Sequence, residues 1–494
     1  MTAPLWTPEA MVEATGGRPV GPMPAGISGI SIDTRTLRPG EAFFAIKGEK
    51  FDGHDFATAA LASGAALLVV AEAKLPALGR LNIPMIVVDD VLASLERLGA
   101  AARARSKAKI IAVTGSVGKT STKEALRHVL SSVGSVHASD RSFNNHWGVP
   151  LTLARMPADT DYGVFEIGMN HPGEIRPLVK LVRPHIAVIT LIAAAHLGYF
   201  KNLEGIAKAK AEIFEGVEKG GFALLNRDDQ RYGLLQRLAH SVGVFNVRGF
   251  GEHGKADYRL LGWELGPDSS KISVRMAGED IDATVGAPGR HIIQNILAVL
   301  GAAHLAGADV EKVAASLATL SAGRGRGERH VLGHPDGAFT LIDESYNANP
   351  ASMRAAIELL DTAATGEGGR RIAVLGDMLE LGSHSAKLHA GLADLIAATR
   401  TDMVFLAGKE MKALAAKLGG QIAIEYRENA EELTPLLVEA VRPGDVVMVK
   451  SSNAIGFSRL VDRFLKQFPA SGQGNGDSLD EAGGGMKTHA HASG

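Results

Sequence analysis

Short continuous apolar runs alternate with helix-like segments almost throughout the chain. ALLVVA (66–71) and PMIVVDD (84–90) read as buried strands, and VLASLERLGAAARARS (91–106) reads as the helix after them. IIAVTG (110–115) leads into another helical stretch, and YGVFEIG (162–168), HIAVITLI (185–192) and GFALLN (221–226) read as further buried strands. A second series starts near residue 338 with AFTLIDES, RRIAVLGD (370–377), DMVFLAG (402–408) and DVVMVKSS (445–452). Unbroken apolar strands separated by helices predict parallel sheets covered on both faces. Between 255 and 285 polar and apolar residues alternate, which predicts an antiparallel extension of the central sheet. The Gly/Arg-rich SAGRGRGER (321–329) divides the two series. The expected organisation is α/β, with units at 1–106, 107–321 and 322–468. From Pro469 to Gly494 the residues are mostly Gly, Ser, Asp and His, and a disordered tail is expected.

The chain has 494 residues, too many for one core, and about three domains is the natural expectation. A net charge of −2 leaves no basic excess, so no nucleic-acid partner is expected. Cysteine is absent, which excludes disulfides, thiolate metal sites and a cysteine nucleophile. MTAPLWTPEA has neither the basic nor the apolar region of a signal peptide, and runs such as IAVITLIAAA (186–195) are too short to span a bilayer. A cytoplasmic protein without stable membrane insertion is expected.

The chemistry starts at IAVTGSVGKTST (111–122), where a β-branched run ends at two glycines, a lysine and a threonine. Backbone amides after Gly115 can form an anion nest at a helix N-terminus, Lys119 can reach the β/γ-phosphates, and the Thr120 hydroxyl suits Mg²⁺. Thr114, Gly115, Ser116, Val117, Gly118, Lys119 and Thr120 are therefore candidate ATP contacts. The usual phosphate loop has a glycine where this chain has Val113. Asn226-Arg227-Asp228-Asp229 resembles a guanine-reading motif, but no D-x-x-G switch follows the loop at a suitable distance.

TGSVGKTSTK resembles the T-G-[ST]-x-G-K-[ST] loop of the Mur ligases and the related folylpolyglutamate synthases, ATP-dependent amide ligases whose loop lacks that first glycine. The resemblance runs motif by motif over essentially all of 1–468. It implies a small N-terminal α/β domain for a uridine-nucleotide substrate, a central P-loop mononucleotide-binding parallel sheet, and a Rossmann-like C-terminal ligase domain.

SIDTRTLRPGEAFFAIKGEKFDGHDF (31–56), whose plain reading is a surface hairpin, is similar to the uridine-nucleotide segment of the family. That likeness assigns Ser31, Thr34, Arg35 and Lys47 to the uridine diphosphate, and leaves Asp52, Gly53 and His54 without individual roles. RSFNNHWGVPLTL (141–153) resembles the N-N-x-x-G-x-P-L loop facing the γ-phosphate and acyl substrate, implicating Asn144 and Asn145. FEIGMN resembles the motif whose glutamate binds Mg²⁺, here Glu166, which also ends its strand where α/β sheets place ligands. His196 matches the strand-end histidine of the same magnesium site.

IAKAKAEIFEG (206–216) resembles A-K-x-x-[IL], whose lysine is carbamylated and supplies oxygens to a second Mg²⁺. Residues i and i+2 do not share a helix face, and the trailing Ile213-Phe214 selects Lys210 over Lys208. GRHIIQNILAVLG (289–301) resembles the helix whose Asn, here Asn295, reads adenine, with Ile292 replacing the family's first Asn. Arg326 is the expected phosphate arginine, with Arg324 as rival. LIDESYNANPASM (341–353) resembles D-D-S-Y-N-A-N-P-x-S-M of the member that adds D-alanyl-D-alanine, which brings in Asp343 and Asn347 as ATP-site residues. Glu344 departs from its second Asp but keeps the charge. The resemblance implies ATP and Mg²⁺ as cofactors, UDP-N-acetylmuramoyl-tripeptide and D-alanyl-D-alanine as substrates, and a monomer. Whether the tripeptide ends in meso-diaminopimelate or lysine stays open.

Overall fold

The computed structural model describes residues 3–78, 83–140, 143–195, 197–266 and 268–470. Of the expected tail, 471–494 lie outside the described residues, as does His196. Three sheets follow one another along the chain.

The first has four parallel strands, in the order Met85–Val88, Leu67–Ala71, Glu41–Phe44, Gly29–Ser31, with Arg18–Val20 antiparallel on its outer edge. The 31–56 segment is therefore no surface hairpin throughout. Ser31 ends one parallel strand, and Glu41–Phe44 is a neighbouring strand buried in the sheet.

The central sheet runs Val136–Ala138, Tyr162–Glu166, Lys109–Thr114, Ile186–Ile189, Phe222–Asn226, Asn246–Gly251, Tyr258–Leu265, Ser270–Met276, Glu279–Val285. Pairing is parallel as far as Tyr258–Leu265, and the last two strands are antiparallel, forming the expected extension. The Asn246–Gly251 strand, NVRGFG, has no apolar run to announce it.

In the third sheet Glu328–His334 is antiparallel to Gly337–Glu344, and Val446–Lys450, Arg371–Gly376, Met403–Ala407 and Ala423–Arg427 continue in parallel. Each sheet has an apolar cluster on both faces, so each buries its Val, Ile and Leu residues under helices. No helix among the described residues is long and apolar enough to cross a membrane.

Candidate functional site

The loop 115–118 links the strand Lys109–Thr114 to the helix Lys119–Leu130, at the carboxyl edge of the central sheet. Val113 is buried inside the strand and pairs with Glu166 and Val188, so the loop starts only at Gly115. That accounts for the missing first glycine. Gly118 has a left-handed φ of 86°, and a Cβ there would lie 2.4 Å from Asn295 Oδ1. The glycine thus lets the Asn295 helix, Arg290–Leu305, close onto the loop.

The remaining loop positions are held from behind. The Thr114 hydroxyl donates to the Ile167 carbonyl at 2.8 Å, and the Ser116 amide and hydroxyl donate to Leu191 O and Ala193 O. Thr190 donates to the Val117 carbonyl at 2.5 Å. Thr190 is a support that the sequence did not flag, since it reads as one more strand residue in HIAVITLI.

At the open side Lys119 Nζ donates to Gly115 O at 2.9 Å. Burial lowers the Lys119 ammonium pKa, and the Arg326 charge lowers it further against the pull of Glu166. The Thr120 hydroxyl donates to Glu166 Oε2 at 2.7 Å, and Asn144 Nδ2 donates to Glu166 Oε1 at 2.7 Å. Glu166 is 1% exposed. The other amide of the pair does different work: Asn145 Oδ1 accepts the Gly148 amide at 3.0 Å, where the helix Gly148–Ala154 begins.

The lysines of 206–216 separate cleanly. Lys208 pairs with Glu204 at 3.0 Å on a face with its side chain 58% exposed, whereas Lys210 is 1% exposed. Burial and the nearby Lys119 hold the Lys210 ammonium well below its ordinary value, favouring the neutral amine. The two arginines separate as well. Arg324 pairs with Asp462, while the Arg326 guanidinium stacks 4.1 Å over the Tyr346 ring and is felt at Lys119. Beside them Ala125, Ile292, Asn295, Ile296, Leu320 and Arg326 line a slot running from the phosphate-loop helix. Ile292 adds an apolar wall to it.

Asp343 is buried, and its oxygens accept the Gly325 and Ser345 amides at 2.9 and 3.0 Å. It therefore anchors the Arg326 loop. Asn347 is exposed and accepts the Ala348 amide, and its carbonyl takes Lys450 Nζ, which also pairs with Glu344 at 3.0 Å. The guanine-motif look-alike is used up locally. Asn226 Oδ1 accepts the Asp228 amide, and Asp229 takes the Ile192 and Arg231 amides.

The uridine candidates lie on the carboxyl edge of the first sheet. Ser31 is buried and donates to Asp33 O. Thr34 is half-buried, Lys47 is exposed, and Arg35 pairs with Asp33 at 2.6 Å from an exposed position. Asp52 and His54 have a structural task here. His54 Nδ1 lies 2.6 Å from Asp52 Oδ1, and His54 Nε2 accepts the Ala71 amide, so the segment is pinned to the strand Leu67–Ala71. Burial pushes the Asp52 carboxyl up, but hydrogen bonds from Lys74 and His54 outweigh it and hold the group well below the carboxylate range.

A phosphate loop and a strand-end carboxylate at the carboxyl edge of the central sheet, with a buried lysine on a helix packed beside it and an arginine from the link to a third sheet, define a nucleotide-binding α/β protein of several units. The Mur ligase family, catalytic domain, matches residues 26–105, the Mur ligase middle domain residues 113–303, and the Mur ligase glutamate ligase domain residues 325–453. The chain is 34% identical to UDP-N-acetylmuramoyl-tripeptide--D-alanyl-D-alanine ligase of Escherichia coli (strain K12), over 88% of this chain and 93% of that one. Among solved structures, MurF from Acinetobacter baumannii aligns with a TM-score of 0.81 at 30% identity, covering 94% of this chain and 100% of that one. The MurF ligase of Thermotoga maritima in complex with ADP aligns with a TM-score of 0.72 at 27% identity, covering 89% and 97%. The chain belongs to the Mur ligase family, and it is a ligase.

Proposed function

We propose that this chain joins D-alanyl-D-alanine to UDP-N-acetylmuramoyl-tripeptide at the expense of ATP, in the cytoplasm, as a step of peptidoglycan precursor synthesis. The observation that carries the reading is the Thr120–Glu166 hydrogen bond at the start of the phosphate-loop helix, beside a buried Lys119 that feels the charges of both Glu166 and Arg326. A carboxylate is a poor acyl donor at neutral pH. The γ-phosphoryl of ATP passes to the terminal carboxylate of the tripeptide, giving an acyl phosphate and ADP. The dipeptide amine then attacks the carbonyl carbon, the amide forms, and phosphate leaves with the excess proton released. Lys119 and Arg326 neutralise charge gathering on the phosphoryl oxygens. Arg326 takes this role in preference to Arg324, whose charge is met by Asp462.

The Thr120 hydroxyl and the Glu166 carboxylate are hard oxygen donors 2.7 Å apart, a set that fits Mg²⁺ with water completing its shell. Among the described residues no cluster of three His, Asp or Glu side chains forms a metal cage, and His196 lies outside them. Bound there, Mg²⁺ supplies charge neutralisation at the phosphates. The Lys210 amine, whose neutral form burial favours, is suited to take up CO₂ and present carbamate oxygens to the same site. Asn144 orients Glu166, and Asn145 shapes the acyl-substrate loop. Asn295 and the apolar slot beside it receive adenine. Ser31, Thr34, Arg35 and Lys47 hold the uridine diphosphate. The units are assigned as 1–106 for the uridine nucleotide, 107–321 for ATP and 322–468 for the incoming dipeptide.

The experiment is a turnover assay that follows phosphate release with tripeptides ending in meso-diaminopimelate or lysine, each with and without D-alanyl-D-alanine. Release that needs ATP, one tripeptide and the dipeptide together is expected. Release driven by a folate substrate, or by GTP alone, would overturn the reading.

A further inference from the structure

Glu166 and Lys210, which the proposed function places at the phosphates, come from separate segments, and both segments are fastened to one helix. That helix, Ile175–Val182, follows Glu166 through the loop 167–174. Lys210 stands at the end of the helix Leu203–Ala211, where the chain tightens into the 3₁₀ turn Glu212–Gly216. The buried Glu212 carboxylate crosses between them. Its Oε1 accepts the Gly173 amide at 2.7 Å, and its Oε2 accepts the Arg176 amide at 3.2 Å. A carboxylate on those amides satisfies donors that the helix leaves open and suits its positive end. The Arg176 guanidinium lies 3.8 Å from Glu212 and bonds Glu215 at 2.6 Å. At the far end of the turn Gly216 is pressed so close that a Cβ would stand 2.2 Å from Val179 O. The turn is thus fixed at both ends along the helix, one end being two residues from Lys210.

We infer that Glu212 is a positioning residue that fixes Lys210 relative to the strand carrying Glu166. Its two hydrogen bonds join the segment carrying the lysine to the loop and helix that follow the strand of the carboxylate. Without them the last turn of the lysine helix loses its anchor, and Lys210 loses its fixed place beside the phosphate loop. The inference rests on the reading of Glu166 and Lys210 as phosphate-site residues.

The test compares the full-length wild type with Glu212→Ala, Glu212→Gln and Lys210→Ala after equilibration with ¹³C-bicarbonate. The wild type should give a ¹³C NMR lysine carbamate signal that Lys210→Ala lacks. Glu212→Ala should lose most of that signal and need about ten-fold more bicarbonate for half-maximal turnover, with added bicarbonate restoring the rate. Glu212→Gln, keeping an acceptor oxygen without the charge, should fall between. A residue that only stabilises the fold would lower the melting temperature and leave the bicarbonate dependence in place. Wild-type signal and wild-type bicarbonate dependence in the folded variants overturn the inference, and if Glu212→Ala does not fold, Glu212→Gln decides by the same readouts. A wild type without the signal overturns the carbamate reading instead. Calorimetric binding of Mg²⁺ and a non-hydrolysable ATP analogue then judges Glu212: an increase of about ten-fold in the Mg²⁺ needed supports it, and no change overturns it.

Discussion

The central sheet meets its two neighbours in different ways. Towards the first sheet the junction is apolar and continuous. Leu151 and Ala154, from the helix Gly148–Ala154, belong to the same buried cluster as Trp6, Leu95, Leu98 and Ala102. The Trp6 indole N–H donates to Ala154 O at 2.8 Å, and the Arg105 guanidinium covers its ring at 3.6 Å. Arg103 and Arg155 add bonds to Val182 O and Ile30 O at 2.8 and 2.7 Å. Towards the third sheet, no buried apolar cluster of the described residues spans the junction. Polar contacts cross it: the Gly198 amide donates to Glu380 O at 2.9 Å, Arg329 lies 3.8 Å from Asp268, and His291 feels the charges of Glu344 and Lys450.

An apolar junction separates only by returning its surface to water, whereas a polar one exchanges its bonds for water at little net cost. The first and central units should therefore behave as one body, and the third should move against them. An acyl phosphate is easily hydrolysed, and closing the movable side would exclude water from it.

The comparison breaks most visibly at Arg326. Arg326→Ala should lower kcat about 100-fold or more without a lower melting temperature, while Arg324→Ala should keep near-normal turnover. The reverse result in steady-state kinetics would move the polar junction's role to the other arginine. At the apolar junction the expected loss is of stability. Leu151→Ala should cost about 2–5 kcal/mol by denaturant unfolding, with kcat of the folded fraction nearly unchanged. A loss of turnover without a loss of stability would show that this junction also moves.

Between the junctions, Lys210 should reveal a cost of its own. Its folded value lies below the unfolded one of about 10.4, so the folded chain binds fewer protons and stability rises with pH between those two values. In CO₂-free buffer Lys210→Met should melt above the wild type, most clearly below the folded value. That gap should narrow as pH climbs through the window. A gap independent of pH would mean that the lysine's charge is not what costs stability.

The smallest effect belongs to Lys208. Its exposed pair with Glu204 is worth about 0.5 kcal/mol at most, so Lys208→Ala should leave melting and turnover nearly unchanged. A dead Lys208→Ala beside an active Lys210→Ala would reverse the assignment of the two lysines.

Much of this protein is written in short-range pattern. The runs ALLVVA, IIAVTG, YGVFEIG and DVVMVKSS carry their strands, because a strand buried on both faces needs unbroken apolar residues wherever it lies. The glycines and Lys119 at a strand-to-helix turn likewise carry their loop. Helical spacing alone required that only one of Lys208 and Lys210 could point inward. The segment NVRGFG and the buried strand Glu41–Phe44 escaped, since one lacks an apolar run and the other sits within a polar stretch.

What the tertiary structure decided are the partnerships across long separations in the chain. It set Glu166 against Thr120 and Asn144, gave Asn145 to the Gly148 amide, spent Asp343 on the Arg326 loop, and tied Asp52 and His54 to the strand Leu67–Ala71. Periodicity records which face of an element is apolar. Which polar group meets which depends on how separate elements pack, and that information is spread over residues distant from either partner.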